Sequence, residues 1–380
     1  MANYLNKIVK FDMAQSSEAT HVYLDIGVVN ADDGSLGLSP SPLRFSEARQ
    51  KPIITDPSSY FMSLIRFHID TTMLPAMIPT IMLGQSDVNK TIYSFTLSFR
   101  GTDFQQYIEF APQDLTTATP APPLTSQDIA SGYYNISSFQ YFVRLCNIAL
   151  ASCHSGLKKK SVVGLPTDNP PYLLYDPASN EIIFMLDQAG YDNSLVGPIQ
   201  LYFNTPCYNL FCSFQTQTMS YADPNGKNYL LIAQNENDTN LSIMNNYTAI
   251  QCYQEYASTS TWSCVQSIVI CSSTLPINGT MQSQTSINGS LPTINYSGGI
   301  SVPVISDFEV ALDNGLDYKP SINYSPFIFR MIDLVGHQEL TNLSIEVFWK
   351  DNNSNMYPLL IPANSNCNLK ILFRKKYLGV

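Results

Sequence analysis

Near the end of the chain, apolar and polar side chains alternate one by one, and a backbone with that period has few ways to fold. In residues 343–350, Leu343, Ile345, Val347 and Trp349 alternate with Ser344, Glu346, Phe348 and Lys350. In residues 367–374, Cys367, Leu369, Ile371 and Phe373 alternate with Asn368, Lys370, Leu372 and Arg374. Period two puts each apolar set on one face of a pleated strand, one face buried and the other mostly wet. A third run, 327–334, reads as a strand preceding them. The connectors are turn residues: Gly336 and His337, then 351–355 (DNNSN), then 361–364 (IPAN). No helix has room to form between them, so this end of the chain is expected to be antiparallel and all-β.

Upstream, shorter patterns of the same kind recur. Residues 22–28 read as a strand inside an otherwise loop-rich opening, and 30–42 (NADDGSLGLSPSP) read as loop, so residues 1–50 are expected to be an N-terminal arm. From residue 59 the chain reads as ordered. Phe61, Ile65, Phe67 and Ile69 are expected on one face of a strand and Tyr60, Met62, Leu64 and Arg66 on the other, a strand covered on both sides in mid-sheet. Residues 91–99 alternate cleanly. Residues 113–127 (QDLTTATPAPPLTSQ) read as an exposed connector. One helix is expected: Ser137 and Ser138 cap it, Phe139, Phe142, Leu145, Cys146, Ala149 and Leu150 recur at helical spacing, and it ends before Gly156. Further strands are expected at 181–186, 199–204, 229–233, 248–256, 262–271 and 302–310, with a short helix starting at Thr205 and Pro206. Residues 276–299 read as a surface loop. No period of 20–50 residues recurs, which excludes solenoids and propellers. Ten or more short strands with one helix point to a sandwich, jelly roll or barrel.

Charge narrows the partners. Charged residues make up 13% of the 380 residues, about half the ~25% usual in globular proteins. With 23 Tyr and 19 Phe, the polar surface must be built largely of Ser, Thr, Asn and Gln. Such a surface suits packed protein contacts, although β-rich proteins also favour Thr and Tyr simply because strands do. Thirty acidic against 20 basic residues give a net charge of −10. That argues against a nucleic-acid-wrapping or anionic-membrane surface. The tight basic runs, Lys158 to Lys160 and Arg374 to Lys376, read as a solvated loop and a solvated tail. Residues 1–15 lack the apolar core of a signal peptide, and the longest apolar run, 73–83, is cut by Pro75 and Pro79. The chain is therefore expected to be soluble and used without secretion. Its eight cysteines form no C-x-x-C and read as small buried thiols, with a Cys207–Cys212 disulfide the less favoured option.

Candidate chemistry is thin. There is no nucleophile elbow, no phosphate-binding glycine loop and no H-E-x-x-H. Asp32 and Asp33 share a loop without further ligands. His68 beside Arg66 reads as a structural histidine. His154 with Cys153 and Cys146 is the most metal-like group, yet it lacks a fourth ligand. Asp333, His337 and a serine can be drawn as a triad, as such sets can in any long chain. Asp307 and Glu309 lie two apart on one strand face, the arrangement of glycosidase carboxylates, but strand-edge charges are far commoner. No catalytic, cofactor-binding or metal site is assigned.

Several pieces, taken in order, carry a resemblance. They are 306–308 (SDF), 324–334 (YSPFIFRMIDL), 345–351 (IEVFWKD), 357–359 (YPL) and 369–376 (LKILFRKK). Upstream stand 63–67 (SLIRF), Leu74 and Pro75, Tyr133 and Tyr134, 139–149 (FQYFVRLCNIA) and 199–204 (IQLYFN). Across roughly residues 55–376 the chain resembles the penton (minor capsid) proteins of virophages, Sputnik-like ones in particular, and of the related Polinton-type viruses. The resemblance implies a single jelly roll, an eight-stranded antiparallel sandwich, with a sizeable insertion containing one helix. On that basis the jelly roll is expected at 51–125 and 256–380 and the outward-facing insertion at 126–255.

The implied function is structural: a homopentamer at each five-fold vertex of an icosahedral virion. The implied partners are the neighbouring double-jelly-roll major capsid protein and other minor capsid components, with no membrane and no sequence-specific nucleic acid. The implied place is the virion, with synthesis in the host cytoplasm or viral factory. The family has no catalytic residues or cofactors to carry over, so the chain is expected not to be an enzyme. Two readings compete with it. One is a carbohydrate-binding, host-attachment jelly roll using surface Tyr and Asn around residues 220–300. The other is a hydrolase built on Asp307 and Glu309.

Overall fold

β-Branched and aromatic residues at every second position draw the chain into many short strands separated by polar turns. The computed structural model describes residues 19–30, 40–70, 74–220, 223–224, 226–234, 241–243, 246–277, 303–309, 321–352 and 355–376. Strands β1 (His21–Val29), β2 (Ser41–Pro42), β3 (Arg44–Ala48) and β4 (Tyr60–Asp70) open it. The middle contains β5 (Lys90–Phe99), β6 (Thr102–Glu109), helix α1 (Phe139–Lys160), β7 (Tyr172–Asp176), β8 (Glu181–Asp187), α2 (Gln188–Tyr191), β9 (Gln200–Phe203) and α3 (Thr205–Leu210). It continues with β10 (Thr216–Thr218), β11 (Tyr229–Leu231), β12 (Leu241–Ile243) and β13 (Thr248–Cys252). The closing part holds β14 (Val265–Cys271), β15 (Val304–Glu309), β16 (Ser321–Tyr324), β17 (Ile332–Asp333), β18 (Asn342–Asp351), β19 (Met356–Pro358), β20 (Leu360–Ile361) and β21 (Asn366–Lys375).

The opening and closing strands build two antiparallel sheets. The first runs β1-β21-β4-β16, with β17 also paired to β4; the second runs β15-β14-β18-β19, with β3 also paired to β18. Both sheets feed one buried cluster: Met62, Phe67, Ile371 and Phe373 from the first meet Ile268, Ile270, Ile345 and Trp349 from the second. The Phe67 and Phe308 rings, one from each sheet, lie 5.7 Å apart. Successive strands change sheet, from β3 to β4 and again from β17 to β18, which makes the sandwich a jelly roll. The all-β jelly-roll expectation holds.

Pairing differs from the sequence reading in four places. The two closing strands are not neighbours: β18 lies in the second sheet and β21 in the first, facing each other across the core. Their alternation still points Leu343, Ile345, Val347, Leu369, Ile371 and Phe373 inward. The run 327–334 is strand only at β17, because three consecutive large apolar residues, Phe327, Ile328 and Phe329, cannot alternate. In β4 the inward set is Tyr60, Met62 and Leu64, then Phe67 and Ile69. Its register with β21 shifts there, since Lys370 pairs with Arg66 and Ile371 with Leu64, leaving Ile65 as the extra residue of a bulge. That one residue switches the phase, which a uniform period of two misses. Finally, residues 21–29 and 44–48 are woven into the sandwich, with Leu24, Ile26 and Leu43 buried in its core. Asp32, Asp33 and most of 276–299 lie outside the described residues.

Buried apolar residues between Met77 and Trp262 form a second cluster of their own. Two sheets, β10-β11-β9-β5-β6 and β12-β13-β8-β7, sandwich it with α1. Ile78 packs against both clusters where the two lobes meet. β5 and β6, expected with the jelly roll, bury Phe95, Leu97 and Ile108 in this second cluster, because β5 pairs with β9 and both β5 and β6 lie under α1.

Helix α1 starts after Ser138 as expected, though the Ser138 side chain makes no capping bond. It does not stop before Gly156 but runs on to Lys160. A Cβ at Gly156 would lie 2.3 Å from the Phe104 ring of β6, so this glycine serves close packing rather than termination. Lys158, Lys159 and Lys160 form the last turn, where cations complement the helix dipole. At α3, Pro206 sits in the first turn and Asn204 Oδ1 accepts from Cys207 N at 3.1 Å. Three helices stand among the described residues, where one was expected with a short second.

Candidate assembly surface

Most of the described residues that the sequence singled out for chemistry are engaged structurally. His154 is buried on α1 and hydrogen-bonded to the Thr167 backbone, and burial holds its pKa below 6.5. The Cys153 thiol donates to the Phe104 carbonyl at 2.9 Å, and burial pushes its pKa up to about 12; burial also raises Cys146 well above the usual thiol value. Protonated thiols are poor ligands and nucleophiles. Among the described residues no three His, Cys, Asp or Glu side chains group to hold a metal. Cys207 and Cys212 stand as separate thiols.

The carboxylates tell the same story. Asp307 and Glu309 share the outer face of β15, where Lys350 Nζ donates to Asp307 at 2.7 Å as a cross-strand ion pair. Asp333 pairs with Lys376 at 2.8 Å, not with His337. His337 Nδ1 instead lies 3.1 Å from both Asp56 Oδ1 and Ser58 Oγ, and Ser58 donates to Asp56 at 2.7 Å. The Ser58 hydroxyl, more than His337, lowers the Asp56 pKa. A relay needs acid and hydroxyl on opposite ring nitrogens; here both address one, so the trio is a surface knot. His68, on the outer face of β4, lies 2.6 Å from Asn323 Oδ1 of β16.

What remains is surface. The outer face of the first sheet is wet: Asp25 of β1, Lys370 of β21 and Arg66 of β4 form a row, with Lys370 Nζ 3.2 Å and Arg66 4.0 Å from the Asp25 carboxylate. At one edge of that sheet the chain breaks away. β16 ends with Tyr324 opposite Phe67, and β17 begins with Ile332 opposite Met62. Seven residues, 325–331, therefore span the length of four, 63–66, and the surplus of three arches outward. Ser325 Oγ donates to the carbonyl of the bulged Ile65 at 3.4 Å, anchoring one foot of the arch. Phe327 and Ile328 at its crest are 101% and 80% exposed, and Phe329 and Met331 are partly so. Large apolar side chains gathered in the open mark a contact surface. Reading 327–334 as a strand missed it; Pro326 and the unbroken apolar run after it were the available signals.

The opposite edge of the same sheet is β1, which takes no second strand among the described residues. Tyr23 and Val29 project from it, 57% and 63% exposed. In the second lobe, Tyr253 and Tyr256 are half exposed, and their hydroxyls meet Gln251 and the Cys212 thiol.

Residues 22–375 match the family described as Sputnik minor capsid protein V18/19. Structural protein V19 of Sputnik virophage is 29% identical over 219 residues, 54% of this chain and 94% of that protein. Protein V18 of the same virophage is 34% identical over 139 residues, 35% of this chain and 81% of that protein. A chain in the 3.5 Å cryo-EM structure of the Sputnik virophage superposes with a TM-score of 0.77 at 27% identity, covering 95% of this chain and 99% of its own. The mavirus penton protein superposes with a TM-score of 0.60 at 15% identity, covering 94% and 100%, and shares the fold.

Proposed function

The chain belongs to the Sputnik V18/19 family of minor capsid proteins, and from that premise we propose that five copies close a ring at each five-fold vertex of an icosahedral virion. That it is a structural capsid protein of a virophage follows from the family and from its likeness to a component of an intact virophage particle. The fold it shares with the mavirus penton protein supports the vertex position. The observation that carries the reading is the extent of the match: sandwich and second lobe together align over 95% of the chain with that component.

A five-fold ring requires head-to-tail contacts between unlike surfaces, and the low charge density of this chain lowers the cost of packing them. On this reading the jelly roll, residues 19–74 and 264–376, forms the body of the ring. The second lobe, 76–262, projects outward as the insertion. The ring seats among double-jelly-roll major capsid proteins and other minor components. The protein works without catalysis, without a cofactor and away from membranes, and it is made in the host cytoplasm or viral factory.

Cryo-EM of purified particles, with the chain identified by mass spectrometry and by an antibody label, tests this. The expected result is label and a fitting density at the five-fold axes alone. Particles that contain the chain only away from those axes, or not at all, overturn the reading.

A further inference from the structure

Resting on the five-copy ring, we infer that the arch 325–331 of one copy docks on the β1 edge of the next. Two features at opposite edges of one sheet carry this. The arch is too long for the gap it spans, so Phe327 and Ile328 stand in solvent at its crest. The far edge, β1, takes no second strand among the described residues, and Tyr23 and Val29 are exposed on it. The two edges are separated by β21 and β4 within the same molecule. Only a second copy brings them together, and that pairing of unlike surfaces is heterologous, the kind that closes a ring.

Charge fits the same partner. Arg330, the cation of the arch, is exposed and makes no ion pair with any described residue. Asp25, the acid of β1, has a side chain 64% exposed; Lys370 lies 3.2 Å from its Oδ2 and Arg66 stands 4.0 Å from its Oδ1. An apolar–cation segment thus faces an apolar–acid edge. Buried apolar anchors would carry the affinity, and the Arg330–Asp25 pair would set the register.

The test uses the full chain. A photo-crosslinker at position 328, in an equal mixture of light and 15N-labelled copies, is expected to join residues 21–29 of a different copy. Phe327→Ser with Ile328→Ser is expected to raise the concentration for half-dissociation of the ring about tenfold or more, read by mass photometry. These side chains are exposed, so the thermal melt of the double variant should match that of the parent and exclude misfolding as the cause. Arg330→Glu should weaken the ring in the same assay, and adding Asp25→Lys should restore part of the loss. Crosslinks to residues 1–18, to the same copy or to any other segment overturn the inference. If the parent forms rings and the double variant forms them equally well, this contact falls while the ring stands. A parent that stays monomeric removes both.

Discussion

Gly156 lies inside helix α1, four residues before its end, and within a helix glycine costs about 1 kcal/mol relative to alanine. The helix keeps it because β6 comes so close that a methyl group would meet the Phe104 ring at 2.3 Å. The usual sign of a helix substitution is therefore reversed. Gly156→Ala should destabilise the protein by about 1–3 kcal/mol through overpacking, measured by urea denaturation. Combining it with Phe104→Leu should recover part of that loss. A gain in stability for Gly156→Ala alone would mean that α1 and β6 are further apart than described. His154, on the same helix, shows why residue type alone misleads. It looked like a ligand beside two cysteines, yet it is a buried imidazole bonded to a backbone group, and burial lowers its pKa. The thiol beside it is occupied by a carbonyl.

At the scale of elements, β4 does most to position the surface. Its inward side chains change phase at Ile65, and the arch leaves the sheet beside that bulge. Deleting Ile65 should keep Tyr60, Met62 and Leu64 facing the core together with Phe67 and Ile69, since the bulge residue is the surplus one. Deleting Ser63 instead should throw Tyr60 and Met62 to the wet face, because a slip of one residue turns every side chain over. Thermal melts of the two deletions should rank Ile65 well above Ser63. Equal melts would show that the phase change is not where the register places it. Part of this element was legible beforehand: its existence, its extent and its mid-sheet position, but not its cover, since Arg66 and His68 lie on a wet outer face where both faces were expected to be covered. The bulge was not, since Ile65 is as apolar as its neighbours and only a partner strand reveals which residue is extra.

For the whole molecule, the two large buried clusters joined at Ile78 predict two units of stability. Trp262 is an anchor of the second: its indole donates to the Leu210 carbonyl at 2.8 Å and its ring meets Phe139, Phe142 and Phe211 within 5.8 Å. Trp262→Ala should cost about 3–5 kcal/mol. Hydrogen exchange read by mass spectrometry should then speed up in β8 and β9 while β21 and β18 keep their protection. Equal loss in all four strands would make the protein one cooperative unit. The division into lobes was only half visible in the sequence. An insertion was expected from the family resemblance alone, and β5 and β6 alternate as cleanly as any jelly-roll strand. Nothing in their composition says which core they join.

Local chemistry set a great deal. Period-two alternation and turn residues determined an all-β sandwich, jelly roll or barrel, because they act on each strand by itself. The order of short pieces determined the family. The tertiary structure decided what depends on partners: that β18 and β21 face each other rather than pair, that residues 21–29 and 44–48 belong to the sandwich, and that Asp333 and His337 answer to different neighbours. It also decided the fate of residues 325–331. Their apolar character reads as a buried strand until β16 and β17 are seen to leave them four residues of edge for seven of chain. Length mismatch between paired strands exists only once they are paired, and it is this mismatch that turns a core-like sequence into an exposed arch.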